Sequence, residues 1–287
     1  MVQLLLGAGA GADATNLEGT TPMHCAAHGG HIEVVKLLLG AMADACPIND
    51  LGITVLHKAA HGGHSAVMQL LLAVGAGAVV DAADHNGHTA LYYAAQQGNV
   101  AEVQLLLGAG TAVDAACAQG FTALQMAAER GYTELVQLLL DAHASVDAAA
   151  ADGYTALDRA SRHGHSQVVQ LLLGAHAAVG APHAEGATPL HWAAREGHTA
   201  VLRLLLSANA APDAVAAAFA PLHTPLHLAA DRGDTAAVQL MLAVPQLASE
   251  ALAGAAGAAA TAGHADLAML MLEALMARDW PRSHGAS

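Results

Sequence analysis

The chain has 287 residues, 55% hydrophobic and 12% charged, enough apolar material for a core and far from the composition of a disordered chain. A formal net charge of −14 excludes general affinity for nucleic acid or anionic membranes, which needs clustered Lys and Arg. The three cysteines (Cys25, Cys46 and Cys117) have no CxxC spacing, which excludes a disulfide framework and fits free thiols in a reducing compartment.

Aromatics make up only 3%, so the core must come from alanine and leucine, which points to closely packed helices. The first element, 2-VQLLLGAGAGADA-14, reads as a leucine-faced helix and a turn. It lacks a basic n-region and a full apolar h-region, so an intracellular location, cytoplasmic or nuclear, is expected.

TTPMHCAAHGGHIEVVKLLL follows, and its pattern recurs as ITVLHKAAHGGHSAVMQLLL, HTALYYAAQQGNVAEVQLLL, FTALQMAAERGYTELVQLLL, YTALDRASRHGHSQVVQLLL, ATPLHWAAREGHTAVLRLLL and HTPLHLAADRGDTAAVQLML. Thr21, Thr54, Thr89, Thr122, Thr155, Thr188 and Thr224 anchor the seven copies, with four of the six steps being 33 residues and the others 35 and 36.

Within a copy, threonine caps a helix start, and a following proline, as at Thr188-Pro189, sits where a missing N–H costs nothing. Leu190, Ala193 and Ala194 then form a small-residue stripe, and Gly197 ends the short helix through a left-handed turn. Val201, Leu202, Leu204, Leu205 and Leu206 give a second helix a wide apolar face, and a tail like 108-GAGTAVDA-115 leads to the next copy. No single copy can bury both helical faces, so the copies must stack.

A period near 33 with T-P-L-H-x-A-A resembles the ankyrin repeat, and the resemblance covers residues 2 to about 275. It implies an all-α solenoid of L-shaped helix-turn-helix repeats with projecting hairpin-like loops, whose concave groove binds other proteins. The expected organisation is a partial repeat at 1–15, seven repeats over 16–253, a degenerate cap at 254–275 and a tail at 276–287. Val2 lies 33 residues before Val35, so the first helix lacks its partner, as expected of a fragment or of a mis-started gene model. At the other end Gly254-Ala255-Ala256-Gly257 replaces T-P-L-H, and its glycines predict early fraying.

Histidines at i, i+4 and i+7 in 57-HKAAHGGH-64 and 24-HCAAHGGH-31 have zinc-ligand spacing on a helix. The repeat explains the spacing otherwise. The resemblance implies that His24, His57, His191 and His227 hydrogen-bond across the repeat's turns, and that His31, His64, His165, His198 and His264 cover the helix-to-helix loops. The variable pair, His28 and His61, is expected ~10 Å apart on neighbouring helices, too far for one tetrahedral metal. No metal or cofactor is expected.

Neither a nucleophile elbow nor a P-loop occurs, and GAGAGAD at 7–13 only follows a helix, so no enzyme is expected. The favoured reading is a monomeric scaffold or adaptor that binds a protein, with no membrane, nucleic-acid or small-molecule partner. The second reading is a regulatory inhibitor or recruiter of a transcription factor or ubiquitin-ligase component. The consensus-free positions predict a contact strip of Phe121, Arg130, Tyr154, Arg162, Arg195, Glu196 and Arg232, against which stands simple charge pairing with Glu129, Asp158 and Asp231. Trp192 is weighted towards burial. The longer connection 211-APDAVAAAFAPLHT-224 makes Phe219 a candidate specificity element.

Overall fold

The computed structural model describes residues 1–180, 183, 186–216, 224–245 and 247–279. Phe219, with Pro221 and Leu222, lies outside the described residues. The chain divides into two compact units, Met1–Ala151 and Asp152–Ser287. Unit 1 carries α1 (Val2–Gly7), α2 (Pro22–His28), α3 (Ile32–Gly40), α4 (Val55–Gly62), α5 (Ser65–Ala73), α6 (Ala90–Gln97), α7 (Val100–Gly108), α8 (Ala123–Arg130) and α9 (Thr133–Asp141). Unit 2 carries α10 (Ala156–Arg162), α11 (Ser166–Gly174), α12 (Pro189–Glu196), α13 (Thr199–Ser207), α14 (Pro225–Asp231), α15 (Thr235–Leu242), α16 (Ser249–Thr261) and α17 (Ala265–Asp279). Among the described residues there is no β-strand, only an isolated bridge between Ile48 and Thr54, and no helix is long and apolar enough to cross a membrane.

Each of the seven anchoring threonines is the N-cap of a first helix, in extended conformation. In Thr54, Thr122, Thr155 and Thr224 the hydroxyl accepts from the N–H three residues on, satisfying one of the free donors of the first turn. Gly197 closes α12 in the left-handed region (φ 80°) as the repeat pattern predicts. A Cβ there would also stand 2.7 Å from Arg232 Nη2.

First helices pack on first helices through paired alanines, and second helices on second helices through leucine and valine. Ala26 and Ala27, Ala59 and Ala60, Ala94 and Ala95, and Ala127 and Ala128 are all buried, because only a methyl group fits where helices approach this closely. In α13 the inward residues are Val201, Leu202 and Leu205, while Leu204 and Leu206 are half-buried. Each fully buried leucine stabilises by about 1.5–3 kcal/mol.

The loops between repeats are tied by two ladders. Successive turns bond through their backbones, with N–H groups of Asp50, His85, Ala118 and Ala151 donating to carbonyls of Glu18, Leu51, Asn86 and Gln119. Aspartates in the tails then accept from the next repeat: Asp13 from Asp44 N–H, Asp81 from Ala112 N–H, and Asp114 from Ser145 N–H.

α1 buries none of its residues, leaving Leu4 and Leu5 exposed. At the other end α16 is 13 residues long, beginning before Gly254-Ala255-Ala256-Gly257 and running through it. Gly254 is explained by close approach, since a Cβ there would lie 2.6 Å from His227 Nε2, whereas nothing crowds Gly257.

Candidate functional site

The histidines of T-P-L-H act as locks between repeats. His24 Nδ1 accepts from Thr21 N–H (3.2 Å) while Nε2–H donates to the Ile53 carbonyl of the next turn (2.9 Å). His57 repeats this with Thr54 N–H (3.0 Å) and the His88 carbonyl (2.9 Å). Burial holds both rings below their ordinary pKa, against these hydrogen bonds, so they are neutral donors. Gln125 does the same work as an amide, from its Nε2 to the Ala148 carbonyl (2.7 Å).

Asp158 holds this position in α10. Its Oδ2 accepts from Thr155 N–H and Oγ1, but the side chain is too short to span repeats, and buried Oδ1 has no hydrogen-bond partner. Burial, opposed by the Thr155 hydrogen bonds and by Arg159, raises its pKa to about 6.

The second histidine class caps the carbonyl ends of neighbouring first helices. Nε2–H of His64, His198 and His264 donates to the carbonyls of His28 (2.8 Å), Arg162 (3.1 Å) and Asp231 (3.2 Å). Where Asp234 takes the histidine's place it caps α15 instead, through Ala237 N–H, and Arg232 Nη1 supplies the missing bond to the Arg195 carbonyl (2.8 Å). One guanidinium of the predicted strip is thus committed to the scaffold.

Most of the remaining strip residues of unit 2 gather around one indole. Trp192 is 5% exposed and packs with Ala187, Ala216, Tyr154 and Leu228. The guanidinium carbons of Arg162 and Arg195 stand 5.1 and 5.5 Å from its ring centroid, and both arginines are exposed. Tyr154 lies 5.4 Å from the same ring and stacks on His183 at 4.6 Å. Arg159, on the same helix as Arg162, is buried and paired with Asp152 at 2.9 Å, with its guanidinium over Tyr154. Glu196 approaches Arg195 only at 3.8 Å, and no carboxylate among the described residues pairs with Arg162. Chemically this is a pair of cations held over an aromatic face.

In unit 1, Phe121 is half-buried and Arg130 exposed at the end of α8. Sequence reasoning missed how close His28 and His61 come: their rings are 5.8 Å apart rather than ~10 Å, because both side chains lean into the space between α2 and α4. No group of three or more His, Cys, Asp or Glu among the described residues is arranged to hold a metal.

The family model for ankyrin repeats (three copies) matches the chain in overlapping placements at residues 1–76, 41–117, 73–150, 103–182, 149–216 and 175–251. A search of curated proteins returns no match.

Proposed function

Because the chain belongs to the ankyrin repeat family, whose repeats serve as protein–protein interaction modules, we propose that it is a non-enzymatic scaffold or adaptor that docks a protein partner on the first-helix face. The observation that carries this reading is the pair of exposed arginines on Trp192. Stacking on an indole restricts both guanidinium planes before a partner arrives, so less side-chain entropy is lost on binding. Arg162 keeps its donors for an incoming acceptor, and Tyr154 adds an aromatic edge. Arg195 makes the second contact, with Glu196 at its rim. Arg232 shapes the surface by holding the Arg195 backbone. Phe121 and Arg130 are the corresponding contact candidates of unit 1.

The test compares proteins captured from native lysate by the wild-type chain and by an Arg162→Ala, Arg195→Ala variant, after circular dichroism shows equal helicity. Selective loss of a protein from the variant supports the reading, and binding that weakens with salt is expected for contacts made by exposed cations. Identical capture by the two chains defeats the assignment.

A further inference from the structure

Unit 1 holds a different cleft, lined in part by the variable pair His28 and His61. His28 of α2, Ile53 of the preceding loop, His57, Lys58 and His61 of α4, and Tyr93 of α6 line a space of about 170 Å³. At about 30 Å³ per water this is the room of some five waters, or of one carboxylate-bearing side chain.

Several polar groups around the space are already spent. The two ring nitrogens of His57 are occupied by Thr54 and the His88 carbonyl. The Tyr93 hydroxyl donates to Asp84 (2.8 Å). Asp84 also accepts from Asn86 N–H and His88 N–H and lies 3.2 Å from His88 Nδ1. Burial works to raise the Asp84 carboxyl, but those bonds outweigh it and hold it below its ordinary value, as an anion with its lone pairs committed.

Three groups remain. Lys58 is half-buried, and among the described residues no carboxylate lies within ion-pair distance of it. The exposed rings of His28 and His61 stand 5.8 Å apart, and that of His61 lies 5.9 Å from Tyr93, edge-on. Burial first, then the charges of His28 and Lys58, hold His61 below its ordinary pKa. In a chain of net charge −14, a lysine with no acid partner among the described residues beside two exposed imidazoles gives an open space lined by hydrogen-bond donors, with the one nearby carboxylate, Asp84, already saturated.

We propose that this cleft receives the carboxylate of a glutamate or aspartate side chain from an acidic segment of a protein partner, with Lys58 Nζ and the ring N–H groups of His28 and His61 as donors. The inference uses no residue of the arginine surface in unit 2. The titratable groups facing the pair are His24 from α2, His57 and Lys58 from α4, Tyr93 from α6, and Asp84 with His88 from the loop before it. An arriving anion favours the protonated form of His61, so by linkage affinity rises as pH falls.

The experiment follows the ring Cε1–H resonances of the full chain by NMR while a blocked peptide, acetyl-Gly-Glu-Glu-Gly-amide, is added at about pH 6 and about pH 7.5. The expected result is a saturable shift of His28 and His61 with the Glu peptide and none with its Gln counterpart, with binding at least about threefold tighter at the lower pH. Lys58→Met weakens it about tenfold, since a charge-assisted donor is lost, and Arg203→Ala, at an exposed position of α13, leaves it unchanged. His61→Gln, at an exposed position and checked by circular dichroism, is the second variant and must weaken binding too. The assignment is overturned by the absence of a saturable shift, by equal response to the Gln peptide, by equal affinity for acetate alone, or by unchanged binding in both variants.

Discussion

The α10 repeat of unit 2 and the α2 and α4 repeats of unit 1 build the same frame with different chemistry at one position. In α2 and α4 the residue three after the capping threonine is a neutral donor, His24 or His57, that reaches across to the next turn. In α10 the equivalent Asp158 can only turn back on its own cap, and it leaves a buried oxygen unpartnered, whereas His191 and His227 keep a histidine paired with the capping threonine in α12 and α14. The repeat tolerates a carboxylate there because the threonine half of the lock survives. What is lost is the tie of this repeat to its neighbour, so α10 depends more on the packing around Trp192.

The harshest test of that dependence is Trp192→Ala. Removing the buried indole should cost about 3–5 kcal/mol in urea unfolding and raise hydrogen exchange in α10, α12 and α14, with unit 1 amides little changed. Uniform loss of protection over both units would show that they unfold as one.

The pH response should separate α10 from α2 and α4 by sign. Asp158 has a folded pKa of about 6 against an ordinary 3.8, so the folded state binds more protons between those values. Stability from this group is therefore present at low pH and lost as pH rises through about 6, by at most about 3 kcal/mol, and Asp158→Asn should flatten the profile. His24 and His57 act oppositely. Their folded pKa values lie below the ordinary 6.5, so the unfolded state binds more protons and stability is lost as pH falls below that value. Exchange measured by segment across the acid range should show α10 gaining protection where α2 and α4 lose it.

Restoring the lock sharpens the comparison further. Asp158→His places an Nε2–H within reach of the loop ahead of Thr188 and should add about 1 kcal/mol at neutral pH, read as a shift of the urea midpoint. A smaller contrast lies at the C-terminal end. Gly257→Ala should stabilise α16 by up to about 1 kcal/mol, while Gly254→Ala should give no gain, because its methyl group would meet His227. Exchange should also show α16 and α17 opening before the interior repeats; finding them the best protected would refute the expected fraying.

Much of this architecture is legible in the chain because it rests on local rules. A threonine three residues before a side-chain acceptor starts a helix, a glycine in the left-handed region ends it, and alanine pairs mark the closest approach. These effects act within a few residues and recur at one period, so composition and spacing alone determined the all-helical repeat and the family. The glycine at 254 was also visible, but its partner was not, since His227 reaches it only after α14 and α16 have packed.

The site residues divide in the same way. Sequence pattern marked Arg162, Arg195 and Tyr154 as free of the consensus, yet could not tell that they share Trp192, or that Arg232 replaces a missing histidine as a scaffold donor. Nor could it bring His28 within 5.8 Å of His61 and leave Lys58 without an acid partner among the described residues. Those outcomes depend on which way long side chains lean between neighbouring helices, and that choice is made by packing across repeats, where residues thirty or more positions apart compete for the same space.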